Sequence, residues 1–251
     1  MLFRSRKTVM KAPVHSEESF ATLDGTGIRY AVFLQGCPFK CAYCHNPDTQ
    51  PFSGGTLTEA DDLIKKILRY KTYFKGGGGV TFSGGEPLIH AEFILECEKK
   101  LSACGIGCAL DTSGAVPLTN TVRAAVDASE MVILDVKMPT EEMYEKYVCA
   151  SGKNPLNLLE YCVKTGKRLW LRTVIVPGIN DSESEIDKYL ALVGENIKGV
   201  EKYELLAFHT LGFSKYEKLG WENPLAGVPA LNEEKLAALQ KYLDNKIEEL
   251  R

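Results

Sequence analysis

The chain has 251 residues, 45% hydrophobic and 25% charged, with 30 basic side chains against 33 acidic ones and a net charge of −3. Those figures fit one soluble α/β domain, and the near balance of charge implies neither a nucleic-acid nor a membrane partner. No apolar run is long enough to span a bilayer, the segment carrying Arg4, Arg6, Lys7 and Lys11 lacks the apolar stretch of a signal peptide, and eight cysteines without such a signal point to a reducing cytoplasm.

Strand and helix signals then alternate along the chain. Residues 30–34 (YAVFL) are a short apolar run, read as a buried parallel strand. Thr58-x-x-Asp61 reads as a helix start, followed at helical spacing by Leu63, Ile64, Ile67 and Leu68. The glycines at 76–79 read as a flexible connection before a strand at 80–82. A helix is predicted over 91–103, a strand over 107–110, a helix over 119–128 and a strand over 131–135. A helix over 155–164 precedes the strongest strand, 168–176 (RLWLRTVIV). Ser182-x-x-Glu185 opens a helix with Ile186, Tyr189, Leu190 and Val193 on one face, and 201–206 reads as a sixth strand. The last helix, 233–250, carries the apolar stripe Leu236, Leu239, Leu243, Ile247 and Leu250. Six βα units imply a parallel sheet with helices outside and functional residues at the C-terminal strand ends. Residues 1–14 are expected to be an N-terminal extension and 15–251 a single domain.

The most informative stretch is Gly36–Asn46, where Cys37, Cys41 and Cys44 stand at CxxxCxxC spacing. Thiolates are the usual ligands of iron–sulfur clusters, and a four-iron cluster normally takes four of them. Three leave one iron open, as a catalytic metal site requires. A structural zinc site completed by His45 is the competing reading, with strained geometry because His45 directly follows Cys44. Cys97, Cys104, Cys108, Cys149 and Cys162 are dispersed and read as small buried hydrophobes. Gly84-Gly85-Glu86 ends a strand, and bare glycines there let a ligand approach the backbone. Pro87 suits the first helical position after it. Asp111 and Asp135, also at strand ends, are either helix N-caps or oxygen ligands for a cation.

CxxxCxxC followed by Ser83-Gly84-Gly85-Glu86-Pro87 resembles the radical S-adenosylmethionine (SAM) superfamily. Asp24-Gly25-Thr26-Gly27-Ile28-Arg29, Phe33–Cys37, Tyr43–Thr49, Asp111-Thr112-Ser113-Gly114, Asp135-Val136-Lys137, Trp170-Leu171-Arg172 and Phe208-His209 continue the match. Together they resemble the glycyl-radical-enzyme activases. Thr26 departs from that pattern, standing where these activases commonly carry proline. The resemblance implies a partial, splayed (β/α)₆ barrel, one four-iron four-sulfur cluster on Cys37, Cys41 and Cys44, and SAM chelated by the open iron. It implies SAM contacts from Tyr43, His45, Gly84, Gly85, Glu86, Asp135, Val136, Lys137, Arg172 and His209. A monovalent cation on Asp111, Thr112 and Asp135 is implied too. Lys40 and Arg29 are expected either to add positive charge near the cluster or to be surface charges. The implied activity is generation of a 5′-deoxyadenosyl radical that takes a hydrogen from a glycine of a partner protein. The best-fitting partner is pyruvate formate-lyase, and the implied electron donor is flavodoxin or ferredoxin. Another glycyl-radical enzyme, or a small-molecule substrate, is the alternative. No further cysteine lies between Cys44 and Cys97, so the two-cluster insert of some relatives is absent.

Overall fold

The computed structural model describes residues 10–251. The segment with Arg4, Arg6 and Lys7 lies outside the described residues. Six parallel strands form the body of the sheet: β2 (Arg29–Leu34), β4 (Gly79–Gly84), β5 (Gly107–Thr112), β6 (Met131–Asp135), β7 (Arg168–Ile175) and β8 (Lys202–Ala207). They agree with the six predicted strands to within a few residues. Two antiparallel strands that the sequence did not signal, β1 (Lys11–Ala21) and β3 (Thr56–Glu59), extend it to the order β3-β1-β2-β4-β5-β6-β7-β8. Lys11 to Val14 pair within the sheet, so its first strand runs across the boundary placed at residue 14.

Crossover helices make the parallel pairing possible. They are α1 (Ala60–Leu68), α2 (Ala91–Ala103), α3 (Asn120–Ala128), α4 (Glu141–Val148), α5 (Lys153–Lys164) and α6 (Glu183–Val193), with α7 (Phe213–Leu219) and α8 (Glu233–Leu250) after the last strand. Ser182 caps α6 by accepting from Glu185 N, and all four apolar residues expected on that face are buried. Thr58 is not a cap; it sits in β3, its hydroxyl bonded to Thr56 O, and Glu59 occupies the N-cap position of α1. Leu68 and Leu250 are exposed, so each apolar stripe is one residue shorter than expected.

The sheet is curled. Arg172 on β7 donates to Leu23 O, just before β2, although four strand steps separate β2 from β7. In a flat sheet those steps would span about 19 Å, beyond the reach of one side chain. The curl does not close: β8 pairs only with β7, giving a partial barrel. Gln240 of α8 covers part of the free edge, accepting from Leu205 N at 2.8 Å and donating to Tyr203 O at 3.0 Å, a device that blunts unwanted strand addition.

The end of the barrel opposite the strand C-termini is stoppered by the loop before β2. Arg29 is fully buried there, bonded to Thr81 Oγ1, Thr26 O, Gly77 O and Val80 O. It is therefore neither a surface charge nor a neighbour of the cysteine loop. Thr26 Oγ1 also donates to Gly77 O at 2.9 Å, and Gly78 lies so close to Ile28 that a Cβ would stand 2.2 Å from its carbonyl oxygen. The glycine run is thus tied to this stopper rather than free.

Candidate functional site

The C-terminal strand ends surround a cavity of about 210 Å³. Its walls include Cys37, Cys41, Tyr43, Cys44 and His45 after β2, Gly84 and Gly85 at β4, Asp111 and Thr112 at β5, Asp135 and Lys137 at β6, and Arg172 on β7. Twelve residues quoted from different parts of the sequence thus meet at one rim. Three do not line it. Glu86 is fully buried behind the wall, Val136 packs into the core, and His209 reaches the cavity only through His45, against whose ring it stacks at 3.6 Å between centroids. Lys40 is exposed outside it.

The cysteine loop is held by backbone bonds to its surroundings. Gly36 N donates to Thr49 O, Cys37 N to Gln50 O, Lys40 N to Val148 O and Ala42 N to Tyr147 O. The last two acceptors are orphan carbonyls at the C-terminal end of α4. Tyr43 ties the loop to the β6 rim, its hydroxyl donating to Lys137 O at 2.8 Å. The three thiols are free. Burial pushes Cys37 up to about 12 and Cys41 higher still, while Lys137 opposes both shifts. Thiolate is the ligand form, so a cationic metal group is needed to offset that burial.

Among the described residues no three His, Cys, Asp or Glu side chains converge to hold a single metal ion. The three cysteines line one wall of the cavity, and the His45 ring is turned onto His209 instead of completing a zinc site with them. His45 is pushed down to about 4 by burial and by the neighbouring His209, so its imidazole is neutral at ordinary pH.

The glycines serve the protein's own packing. Gly84 has φ +118°, and a Cβ there would stand 2.3 Å from both Leu34 N and Leu34 O. A Cβ on Gly85 would stand 2.2 Å from Gly36 O and 2.9 Å from Thr49 O. Both close approaches are to the strand and loop that carry the cysteines. With that turn made, Glu86 points inward: its carboxylate accepts from Leu88 N, Thr112 Oγ1, Ser113 N and Ser113 Oγ at 2.6–3.0 Å. It braces the β5 rim from behind.

The acidic pair faces the cavity. The helices that follow are capped by Thr119 and Thr140, so neither Asp111 nor Asp135 is an N-cap. Asp135 Oδ2 accepts from Lys137 Nζ at 2.5 Å, and Asp111 Oδ2 accepts from Ser83 Oγ at 2.9 Å, with Arg172 Nη1 3.9 Å from its other oxygen. Burial and the facing Asp135 raise Asp111, with Arg172 opposing. Burial would lower Lys137, but Asp135 and the Cys41 thiol hold it above its usual value. Thr112 spends its hydroxyl proton on Glu86. Sequence reasoning quoted Ser83 only as part of the Ser83–Pro87 motif, with no role, and missed Glu204; Ser83 donates to Asp111, and Glu204 pairs with Arg172 from a strand position that a period-two count could have flagged.

The family model described as the radical SAM superfamily matches residues 31–190, which hold the cysteine loop and the rims of β4 to β7. The chain belongs to the radical SAM superfamily. Radical SAM enzymes use a four-iron four-sulfur cluster and SAM, and the three-thiol wall fits such a cluster. Among curated relatives, the pyruvate formate-lyase-activating enzyme of Clostridium pasteurianum is 43% identical over 94% of this chain and 98% of its own length. The pyruvate formate-lyase 1-activating enzyme of Escherichia coli K12 is 35% identical over 92% and 94%. Among solved structures, a domain of the Bacteroides vulgatus pyruvate-formate lyase-activating enzyme has a TM-score of 0.54 at 23% identity, over 67% of this chain and 94% of that one. Streptococcus suis SuiB, bound to precursor peptide SuiA, has a TM-score of 0.66 at 15% identity over 86% and 44%. These two likenesses concern the radical SAM fold alone.

Proposed function

We propose that this chain activates pyruvate formate-lyase by taking a hydrogen from one of its glycines. The observation that carries the reading is the near end-to-end match, at 43% identity, to a relative named for that activity. When bound, a reduced cluster and SAM supply a 5′-deoxyadenosyl radical, with methionine as the other product. In this reading Cys37, Cys41 and Cys44 hold the cluster by three thiolates and leave one iron for SAM. The ammonium of Lys137 and the guanidinium of Arg172 meet SAM's carboxylate or the substrate backbone. Tyr43, His45, Gly84 and Gly85 shape its seat. Asp135 and Asp111 offer oxygens to a monovalent cation beside it. Glu86, Val136 and His209 act from behind the wall, the first by fixing Thr112 and Ser113, the last by holding the neutral His45 ring. The barrel's unclosed side leaves room for a glycine loop of the partner. Flavodoxin or ferredoxin supplies the electron, and the setting is the cytoplasm; no helix among the described residues is long and apolar enough to cross a membrane.

The test is electron paramagnetic resonance of anaerobically reduced protein with SAM and pyruvate formate-lyase. A glycyl radical doublet is expected, and deuterium on the target glycine's α-carbon should appear in 5′-deoxyadenosine. SAM cleavage with no label transferred would refute the activase reading and favour a small-molecule substrate. Cys41→Ala should lose iron, whereas Cys97→Ala, buried in the core far from the loop in sequence, should keep it.

A further inference from the structure

Residues 209–216 lie against the cysteine loop and touch it at four points. His209 stacks on His45. Gly212, in the turn Thr210–Gly212 before α7, faces the His45 backbone so closely that a Cβ would stand 2.8 Å from its carbonyl oxygen and 3.0 Å from its Cα. Lys215 Nζ reaches Asn46 Oδ1 at 2.7 Å and Asp48 Oδ1 at 3.0 Å. The Tyr216 hydroxyl donates to the carbonyl of Cys44 at 3.2 Å. Neither Lys215 nor Tyr216 lines the cavity; Tyr216 lies with Cys41 and Trp221 along a separate hollow.

We propose that Gly212, Lys215 and Tyr216 are positioning residues that latch residues 44–48 to the loop after β8. The loop between Gly36 and Asn46 has no helix or strand of its own. Its first half is held by β4 and by the end of α4, through Gly85, Lys40 and Ala42. The stretch from Cys44 to Asp48, which runs from this loop into the turn Pro47–Thr49, is held by these three residues from the β8 side, while Asn46 O accepts from Thr49 and Asp48 meets Gln35 Nε2 and His15 on the β1–β2 side. The contacts fall on a cysteine's carbonyl, on the backbone of a cavity-lining histidine and on two polar side chains of the same loop. Displacing the latch would therefore shift Cys44 against His45 and His209 while leaving every cavity side chain chemically intact. The expected effect is on how SAM sits, not on whether iron is held, because all three thiols remain and the first half of the loop keeps its own supports.

This inference rests on the radical SAM reading of the cavity. The experiment compares anaerobically reconstituted Tyr216→Phe, Lys215→Met and Gly212→Ala with Lys218→Met, which alters an exposed lysine about one turn further along α7. Iron per chain and the reduced-cluster paramagnetic spectrum are measured as SAM is titrated. The latch variants should keep full iron, and the SAM concentration for half the spectral change should rise roughly three- to tenfold, the range of one or two lost hydrogen bonds. Lys215→Arg, which can still reach both acceptors, should restore the unaltered titration, and Lys218→Met should match it throughout. Unchanged SAM titration in both Tyr216→Phe and Lys215→Met would overturn the latch. So would loss of iron with SAM affinity intact in the chains that remain loaded, which would make α7 a support for the cluster alone. An unaltered protein whose spectrum ignores SAM would instead sink the superfamily chemistry, and the latch with it.

Discussion

At the residue scale, Gly85 and Glu86 divide one task. Gly85 lets β4 approach the cysteine loop, and Glu86 then collects three hydrogen-bond donors from the next rim, Thr112 Oγ1, Ser113 N and Ser113 Oγ, besides Leu88 N of its own segment. Gly85→Ala would drive a Cβ into the Gly36 carbonyl, a backbone atom with no room to yield. The expected result is a loss of about 1–3 kcal/mol in stability together with reduced iron loading, read by denaturant unfolding and iron analysis. Gly166→Ala serves for comparison, because nothing lies within 4 Å of the added atom and only its φ of +68° resists. Equal iron loading in Gly85→Ala and the unaltered chain would refute the crowding argument. Glu86→Gln would turn an acceptor surrounded by donors into a partial donor, costing about 1–3 kcal/mol; an unaffected unfolding midpoint would contradict that. The cysteine loop was legible because ligand chemistry dictates the spacing of Cys37, Cys41 and Cys44. The direction of Glu86 was not, since the turn at Gly84 that sends it inward is a backbone angle that no residue pattern encodes.

At the element scale, α2 carries an unusual burden. Glu98 is buried among apolar neighbours and both its carboxylate oxygens lack a hydrogen-bond partner. Burial pushes its carboxyl up to about 8, so the folded chain holds the proton at pH 7, whereas the unfolded chain, near the usual glutamate value of 4.5, has released it. Unfolding therefore releases a proton between those values, and stability falls as pH rises from about 4.5 to about 8 and then levels off. Glu98→Met, of similar size, should remove the effect. The gain should be on the order of a few kcal/mol at pH 8.5 and shrink towards pH 5, measured as the difference in unfolding free energy between the two proteins. A difference that does not vary with pH would dispose of the buried-carboxyl account. The elements that escaped sequence reading share a cause as well. β1 (KAPVHSEESFA) and β3 (TLTE) are peripheral strands with a solvated face, β1 has a proline, and irregular pairing interrupts its alternation near Val14 and again between Glu18 and Ala21. α4 and α7 span only eight and seven residues, too short for a helical period to establish itself. The inner parallel strands β2, β4, β5 and β6 are buried on both faces along most of their length and gave short apolar runs that needed no such count.

At the scale of the whole molecule, the seat for the metal group is built before any metal arrives. The cysteine loop is pinned by Thr49, Gln50, Tyr147 and Val148 through backbone bonds, and the opposite end of the barrel is stoppered by Arg29 and its four acceptors. None of these bonds involves a thiol. Removing iron with a chelator should leave the far-ultraviolet circular dichroism unchanged and lower the melting temperature by only a few degrees, unlike a zinc finger, whose folding and metal binding are one event. Collapse of the spectrum on chelation would show that the cluster organises the fold. The orphan carbonyls of α4 have a longer consequence. Where folding and metal binding are one event, losing the metal loses the fold as well. A chain whose empty socket keeps its shape can be refilled by the cell's assembly machinery, so a culture passing in and out of oxygen should recover activity with protein synthesis blocked, at the pace of iron delivery rather than of translation.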